Sequence, residues 1–223
     1  MKNRIWELDF LRGVAILFVV LFHTLYDLQF IYGYTVPFKW QWLCHLAGIF
    51  ILIAGICAPF SRSCLKKGVL LLALSMVITF VTYVYDNSFF VQFGILHQLA
   101  FCMLIYPLLK RLGNAHLAVI SVVIMTAGIF LNNSVCPYPH LYILGWPDAA
   151  FQSMDWFPIF PYTAYFTLGI LISRCLYAEK KSIFNFKQPL FTKPFCTIGK
   201  YTLWIYLLQQ PLTLGLLELL SKK

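Results

Sequence analysis

Charge is scarce in this sequence, and acidic charge scarcest. Only 11% of the 223 residues are Asp, Glu, Lys or Arg, and eight of them are acidic. A soluble domain carries roughly a quarter charged residues, so a soluble fold is a poor fit from the outset. The seven cysteines, at 44, 57, 64, 102, 136, 175 and 196, form no C-x-x-C pair, and no His/Cys/Glu cluster has ligand spacing. Disulfides and a zinc site are therefore not expected, and no metal is. Gly-rich and RNA-binding signatures are missing as well, so the formal charge of +9 does not imply nucleic acid. No internal repeat is visible, which weakens transporter folds built from inverted halves. A cleavable signal is also not expected: the first apolar run is long, contains Asp9 and Arg12, and no small-residue cleavage site follows.

What is abundant is apolar surface. Sixty-one per cent of the chain is hydrophobic and 18% is aromatic, more than a core of this size needs and what a membrane bundle requires. The fold class expected is all-α, a polytopic membrane helix bundle forming a single domain over residues 1–223. About seven transmembrane helices are expected, at roughly 10–31, 43–60, 68–85, 90–109, 115–131, 159–177 and 201–220. With the N-terminus cytoplasmic, fourteen of the seventeen Lys and Arg fall on the inner side, as the positive-inside rule demands. Trp40 and Trp42 are expected at an interface, as are His45, His116 and His140. The loop 132–158 has four prolines, two tryptophans and no Lys or Arg, and reads as an outer lid.

The first segment is the unusual one. It is apolar enough for a bilayer, yet carries Asp9, Arg12, His23 and Asp27. Such groups are costly in hydrocarbon and mark pathways or sites. Arg12 and His23 are eleven residues apart, which returns them to within about 20° of one face and separates them by about 16 Å. His23 and Asp27 are one turn apart, so a carboxylate is available to orient an imidazole acting as general base. Counting rises from the membrane edges puts His97 of the fourth segment at a level similar to His23.

The candidate catalytic residues are thus His23, Asp27 and His97. Gln98 follows as a substrate contact. Asp155, ahead of the proline-rich start of the sixth segment, is expected to cap that helix or to touch a ligand. Arg12, Arg62 and Arg174 are candidate phosphate-binding cations, weighed against lysines and arginines that merely snorkel to lipid headgroups. A proton-coupled or small-solute transporter using Asp27, His23 and His97 as a relay is the alternative, and an assembly partner without chemistry a third.

Four blocks carry a resemblance. Leu11-Arg-Gly-Val-Ala-Ile-Leu-Phe-Val-Val-Leu-Phe-His23 resembles the first helix of transmembrane acyltransferases. The longer run from Asp9 to Asp27 is similar to the heparan-α-glucosaminide N-acetyltransferase catalytic-domain family. So are Phe93-Gly-Ile-Leu-His-Gln98, Asp155-Trp-Phe-Pro-Ile-Phe-Pro161 and Gly199-Lys-Tyr-Thr-Leu-Trp-Ile-Tyr-Leu-Leu-Gln-Gln-Pro211. The resemblance implies acetyl transfer from cytoplasmic acetyl-CoA to an amine or hydroxyl of a sugar or glycan acceptor on the outer face, directly or through an acetyl-histidine. It maps the family's Arg and His onto Arg12 and His23. In the lysosomal branch the essential histidine lies in the turn after the first helix, whereas here no histidine occurs between His23 and His45. Amine and hydroxyl acceptors both stay open. The implied setting is a bacterial cytoplasmic membrane, with the lipid bilayer as partner and homo-oligomers compatible.

Overall fold

The computed structural model describes residues 5–36, 46–138 and 140–221. Trp40, Trp42 and His45 lie outside the described residues. Among the described residues there are eight α-helices and no strand; one isolated parallel bridge joins Phe93 to Trp156. The helices are α1 (Trp6–Phe30), α2 (Leu46–Cys57), α3 (Cys64–Tyr85), α4 (Ile95–Leu109), α5 (Asn114–Asn132), α6 (Ile159–Leu176), α7 (Lys193–Lys200) and α8 (Thr202–Ser221).

Five of them, α1, α3, α5, α6 and α8, are long and apolar enough to cross a membrane. Two more, α2 with its 3-10 continuation to Phe60, and α4, are apolar but shorter. Fifteen residues of α4 rise about 22 Å, less than a hydrocarbon core of about 30 Å. The polytopic all-helical architecture is as the sequence implied; among the described residues, five of the seven apolar helices are long enough to span by themselves and two are shorter. Lipid-facing surface is evident on single helices. Phe80 and Val84 of α3 are 67% and 69% exposed, and Phe130 of α5 is 77% exposed. In water such faces would be a liability; against lipid they need no cover.

The chain divides into two compact units, residues 1–53 with 179–223, and residues 54–178. In the first, α1 packs on α7 and α8. Acidic Glu7 and Asp9 sit in the first turn of α1, where the helix dipole favours negative charge. The crossing with α7 is backbone against backbone. A Cβ on Gly13 would enter the Phe195 carbonyl, and one on Gly199 would enter the Asp9 carbonyl. Small residues serve this purpose in membrane helices. The Cys196 thiol donates to the Trp6 carbonyl at 3.3 Å and accepts from Gln188 Nε2 at 3.2 Å. Near the other end of α1, Tyr32 donates to the Leu214 carbonyl of α8 at 3.3 Å. The short α7 was not anticipated: only eight residues with Pro194 at its start, it carries no long apolar run.

In the second unit α3 packs on α4, α5 on α6, and α4 on α6. Ser63 caps α3 by accepting from Lys66 N. Asp86 ends that helix, and the Ser88 hydroxyl and amide hold its carboxyl below the usual range. Gly128 of α5 lies against Pro161 with no room for a Cβ. Gly145, at φ +106°, takes a conformation that side-chain-bearing residues rarely adopt, under the Phe160 carbonyl. The fourth segment starts at Ile95 and not near Phe90, because residues 90–93 pair with 153–157. Phe157 N donates to Phe93 O at 2.8 Å, and Ser153 Oγ bridges Gln92 N and the Phe90 carbonyl.

If the α1–α7 crossing is built on bare backbone, Gly13→Val overpacks it. A cost of about 2 kcal/mol is expected. That corresponds to a fall of about 5 °C in the thermal midpoint in detergent, read by scanning fluorimetry. Gly215→Ala in α8, which meets open space, should not lower the midpoint. Equal midpoints for the Gly13 variant and the parent would contradict the crossing.

Candidate active site

The polar stripe of α1 is resolved residue by residue in the first unit. Glu7 and Asp9 are buried, at 4% and 2% exposure. Glu7 Oε1 accepts from Ile183 N at 2.9 Å. Arg12 is partly exposed; its Nη2 donates to the Asp9 carboxylate and its Nε to the Leu8 carbonyl at 3.3 Å. Three turns further on, His23 is half-buried, edge-on to Phe22 with ring centroids 5.5 Å apart. No hydrogen bond to the His23 ring forms among the described residues.

Asp27 is 1% exposed, and its carboxylate is taken by α8: Gln210 Nε2 donates to Oδ1 at 3.0 Å and to Oδ2 at 2.9 Å. His23 and Asp27 are one turn apart, as their spacing dictates, but no hydrogen bond joins them. The longer Gln210 arm reaches across from the neighbouring helix and occupies both oxygens. With its NH2 committed to a carboxylate, Gln210 turns its carbonyl oxygen away, and that Oε1 is buried without a partner. Gln209 Oε1 is buried without a partner too. The sequence reading passed over Gln209 and Gln210 as site residues, although two adjacent amides in an apolar helix were the available signal.

The remaining candidates lie in the second unit, and most are committed to structure. Gly94 N donates to His97 Nδ1 at 3.2 Å, so that nitrogen is the acceptor. The neutral ring then carries its proton on Nε2, which lies 3.3 Å from Thr79 Oγ1; the Thr79 hydroxyl in turn donates to the Val91 carbonyl at 2.8 Å. Both ring nitrogens are therefore used, and Phe93 stacks on the ring at 5.4 Å. Thr79, inside an apolar run, had no sequence signal.

Gln98, fully buried, donates to Thr163 Oγ1 at 2.9 Å and leaves Oε1 without a partner. Asp155 is indeed a cap, but of α4 and not of α6. Its Oδ2 accepts from Ile95 N at 2.9 Å, whereas α6 starts at Pro158 with no side-chain cap. A Cβ on Gly94 would enter the Asp155 carboxylate. Arg174 fastens the α4–α5 turn, donating to the Leu112 carbonyl at 2.7 Å, the Lys110 carbonyl at 3.0 Å and Asn114 Oδ1 at 3.0 Å. Arg62 is exposed and has no polar partner among the described residues. His116 and His140 are exposed. Among the described residues, no three His, Cys, Asp or Glu side chains group as metal ligands would.

The four sequence blocks thus hold the α1 stripe, the α4 start, the strand-like segment that caps it, and the Gln209–Gln210 pair. A comparison with protein families decides what they share: the family described as heparan-alpha-glucosaminide N-acetyltransferase, catalytic, matches residues 4–211. The chain belongs to this family. No curated protein and no solved structure matches. Membership makes the chain a membrane acetyltransferase of the sugar-modifying kind, and the five spanning helices make it multi-pass. The match takes in the whole polar stripe of α1 and ends one residue past Gln210.

Removing Gln210 takes the hydrogen-bond donor from a buried carboxyl group, which costs about 2–3 kcal/mol. Gln210→Leu should therefore lower the thermal midpoint by about 5–10 °C. Asp27→Leu added to it should recover most of the loss, since both polar groups are then gone. Additive losses in the double variant would show that the two side chains do not interact.

Proposed function

We propose that the chain transfers an acetyl group from acetyl-CoA to an amine or hydroxyl of a sugar acceptor, with His23 as the general base. The observation that carries this reading is the state of the histidines. His23 is half-buried on the stripe that begins with Arg12, and its ring has no hydrogen-bond partner among the described residues, whereas both nitrogens of His97 are engaged. A free imidazole in a membrane helix can accept a proton; one locked in a cap cannot without breaking it.

A thioester is reactive enough that the protein supplies mainly proximity and a base. His23 would take the proton from the acceptor nitrogen or oxygen as that atom bonds to the acetyl carbon. It would return the proton to the CoA sulfur as the carbon–sulfur bond breaks. Arg12, balanced on one side by Asp9 and part-exposed on the other, is the α1 cation for a CoA phosphate. The fit is one of charge and exposure at the end of α1. Asp27 and the unpartnered carbonyl oxygens of Gln209 and Gln210 offer acceptors to the hydroxyl or amine protons of a sugar. Gln98, with its own unpartnered oxygen, is a contact for substrate within its unit. Arg62 is exposed and could meet a phosphate. We assign His97, Asp155 and Arg174 to positioning α4 and its turns.

The lysine and arginine distribution supports a cytoplasmic N-terminus, with acetyl-CoA arriving from the Arg12 side and the acceptor from the other. A bacterial cytoplasmic membrane is the setting that this reading takes.

Purified protein given radiolabelled acetyl-CoA and a panel of amino sugars and glycans tests the assignment. His23→Ala should lower acceptor-dependent CoA release by about 100-fold or more. Arg12→Ala should raise the KM for acetyl-CoA with a smaller effect on kcat. Wild-type turnover in His23→Ala would sink the base assignment. Failure of the parent protein to bind acetyl-CoA, with ion-coupled uptake into vesicles instead, would turn the reading to a transporter.

A further inference from the structure

The segment between Glu179 and α7 has no part in the proposed chemistry, yet its construction is specific. It is irregular, with a 3-10 turn at Leu190–Thr192. Lys180, Lys181, Lys187 and Lys193 are all exposed along it. Its one acid, Glu179, is occupied by Lys181 at 3.1 Å. Between the lysines stand large apolar side chains that the protein leaves uncovered: Leu190 is 75% exposed, Phe191 72% and Phe186 55%.

This segment is also tied down. Glu7 Oε1 accepts from Ile183 N at 2.9 Å. The Trp6 ring packs on Phe184 and Phe186 with centroids 5.6 and 6.0 Å away, and those two rings lie 5.0 Å apart. The segment is therefore held at the Trp6 end of α1, where that spanning helix begins, and α7 carries it on to the start of α8 at Thr202. A stretch fixed at the mouth of two spanning helices lies at the boundary between water and hydrocarbon.

We propose that residues 180–193 form an interfacial strap that docks on the bilayer and binds anionic lipid headgroups. Leu190, Phe191 and Phe186 enter the acyl boundary, and the flanking lysines meet lipid phosphates. The two halves of the pattern choose this occupant. A soluble phosphate compound would satisfy the lysines and leave Leu190 and Phe191 in water. A leaflet bearing negative headgroups satisfies both at once. The inference does not depend on the acetyl-transfer reading.

Native mass spectrometry of the detergent-purified protein, titrated with phosphatidylglycerol or phosphatidylcholine, reads the binding directly. The parent should retain phosphatidylglycerol in preference to phosphatidylcholine. Replacing the four lysines by glutamine (K180Q, K181Q, K187Q, K193Q) should weaken phosphatidylglycerol binding about tenfold or more while phosphatidylcholine binding holds. Excess CoA should displace no lipid. Unchanged phosphatidylglycerol binding in the variant, or its displacement by CoA, overturns the proposal.

A second measurement needs no variant. Amide hydrogen exchange over 183–192 should slow when phosphatidylglycerol is added to phosphatidylcholine nanodiscs, and equal exchange in the two also overturns the strap.

Discussion

A polar group inside hydrocarbon must find its partner within the protein, because no water is there to supply one. The first unit meets that demand at Asp27. A carboxylate 1% exposed on a spanning helix is met by one amide, Gln210, reaching across from α8 with both contacts at 3.0 Å or less. The pair links α1 to α8 toward the far end of α1, while the Gly13–Gly199 crossing links α1 to α7 near its start. Between these two fastenings lies His23. Its freedom follows from the arrangement: the carboxylate one turn away, which could have held the ring, is committed elsewhere.

The second unit obeys the same rule by closing its polar groups on each other. Gln98 bonds Thr163, and Ser121 bonds Thr167 at 2.6 Å, joining α4, α5 and α6 through side chains that would be isolated in lipid. Around the start of α4 the closure is more extensive. Asp155 takes the Ile95 amide, His97 takes the Gly94 amide, and Thr79 connects His97 to Val91. A helix with glycine as its N-cap has no cap side chain to accept from these donors, so the Ile95 amide is met by Asp155, 60 positions away, the Gly94 amide by His97 from within α4, and Thr79 of α3 holds the His97 ring.

Much of this was legible in the sequence, and the divide is physical. Apolar runs marked out the helices, because length and composition decide membrane insertion locally. The α1 stripe was legible for the same reason, since charges in such a run are conspicuous and their spacing fixes their face. Partners were not legible. Asp155 was expected to cap α6 or to touch a ligand, and the backbone amide that its carboxylate meets is that of Ile95 at the start of α4; Arg174, a candidate phosphate-binding cation, is the side chain that closes the turn at Leu112. Each partner choice depends on which distant backbone group lacks a bond, and no local pattern encodes that. Segment α4 was read too long because the pairing of residues 90–93 with 153–157 is a tertiary event.

We propose that the family's chemistry lies on α1, with the histidine of α4 in a supporting part. Chemical rescue separates these roles most directly. In His23→Gly, acceptor-dependent CoA release should fall about 100-fold and recover in part when imidazole is added, since the missing ring is a base with no structural hydrogen bond among the described residues to restore. In His97→Gly, imidazole should restore nothing, because a cap cannot be replaced by a diffusing molecule. A wild-type rate in His23→Gly, or rescue confined to His97→Gly, would contradict the assignment of His23 as the base.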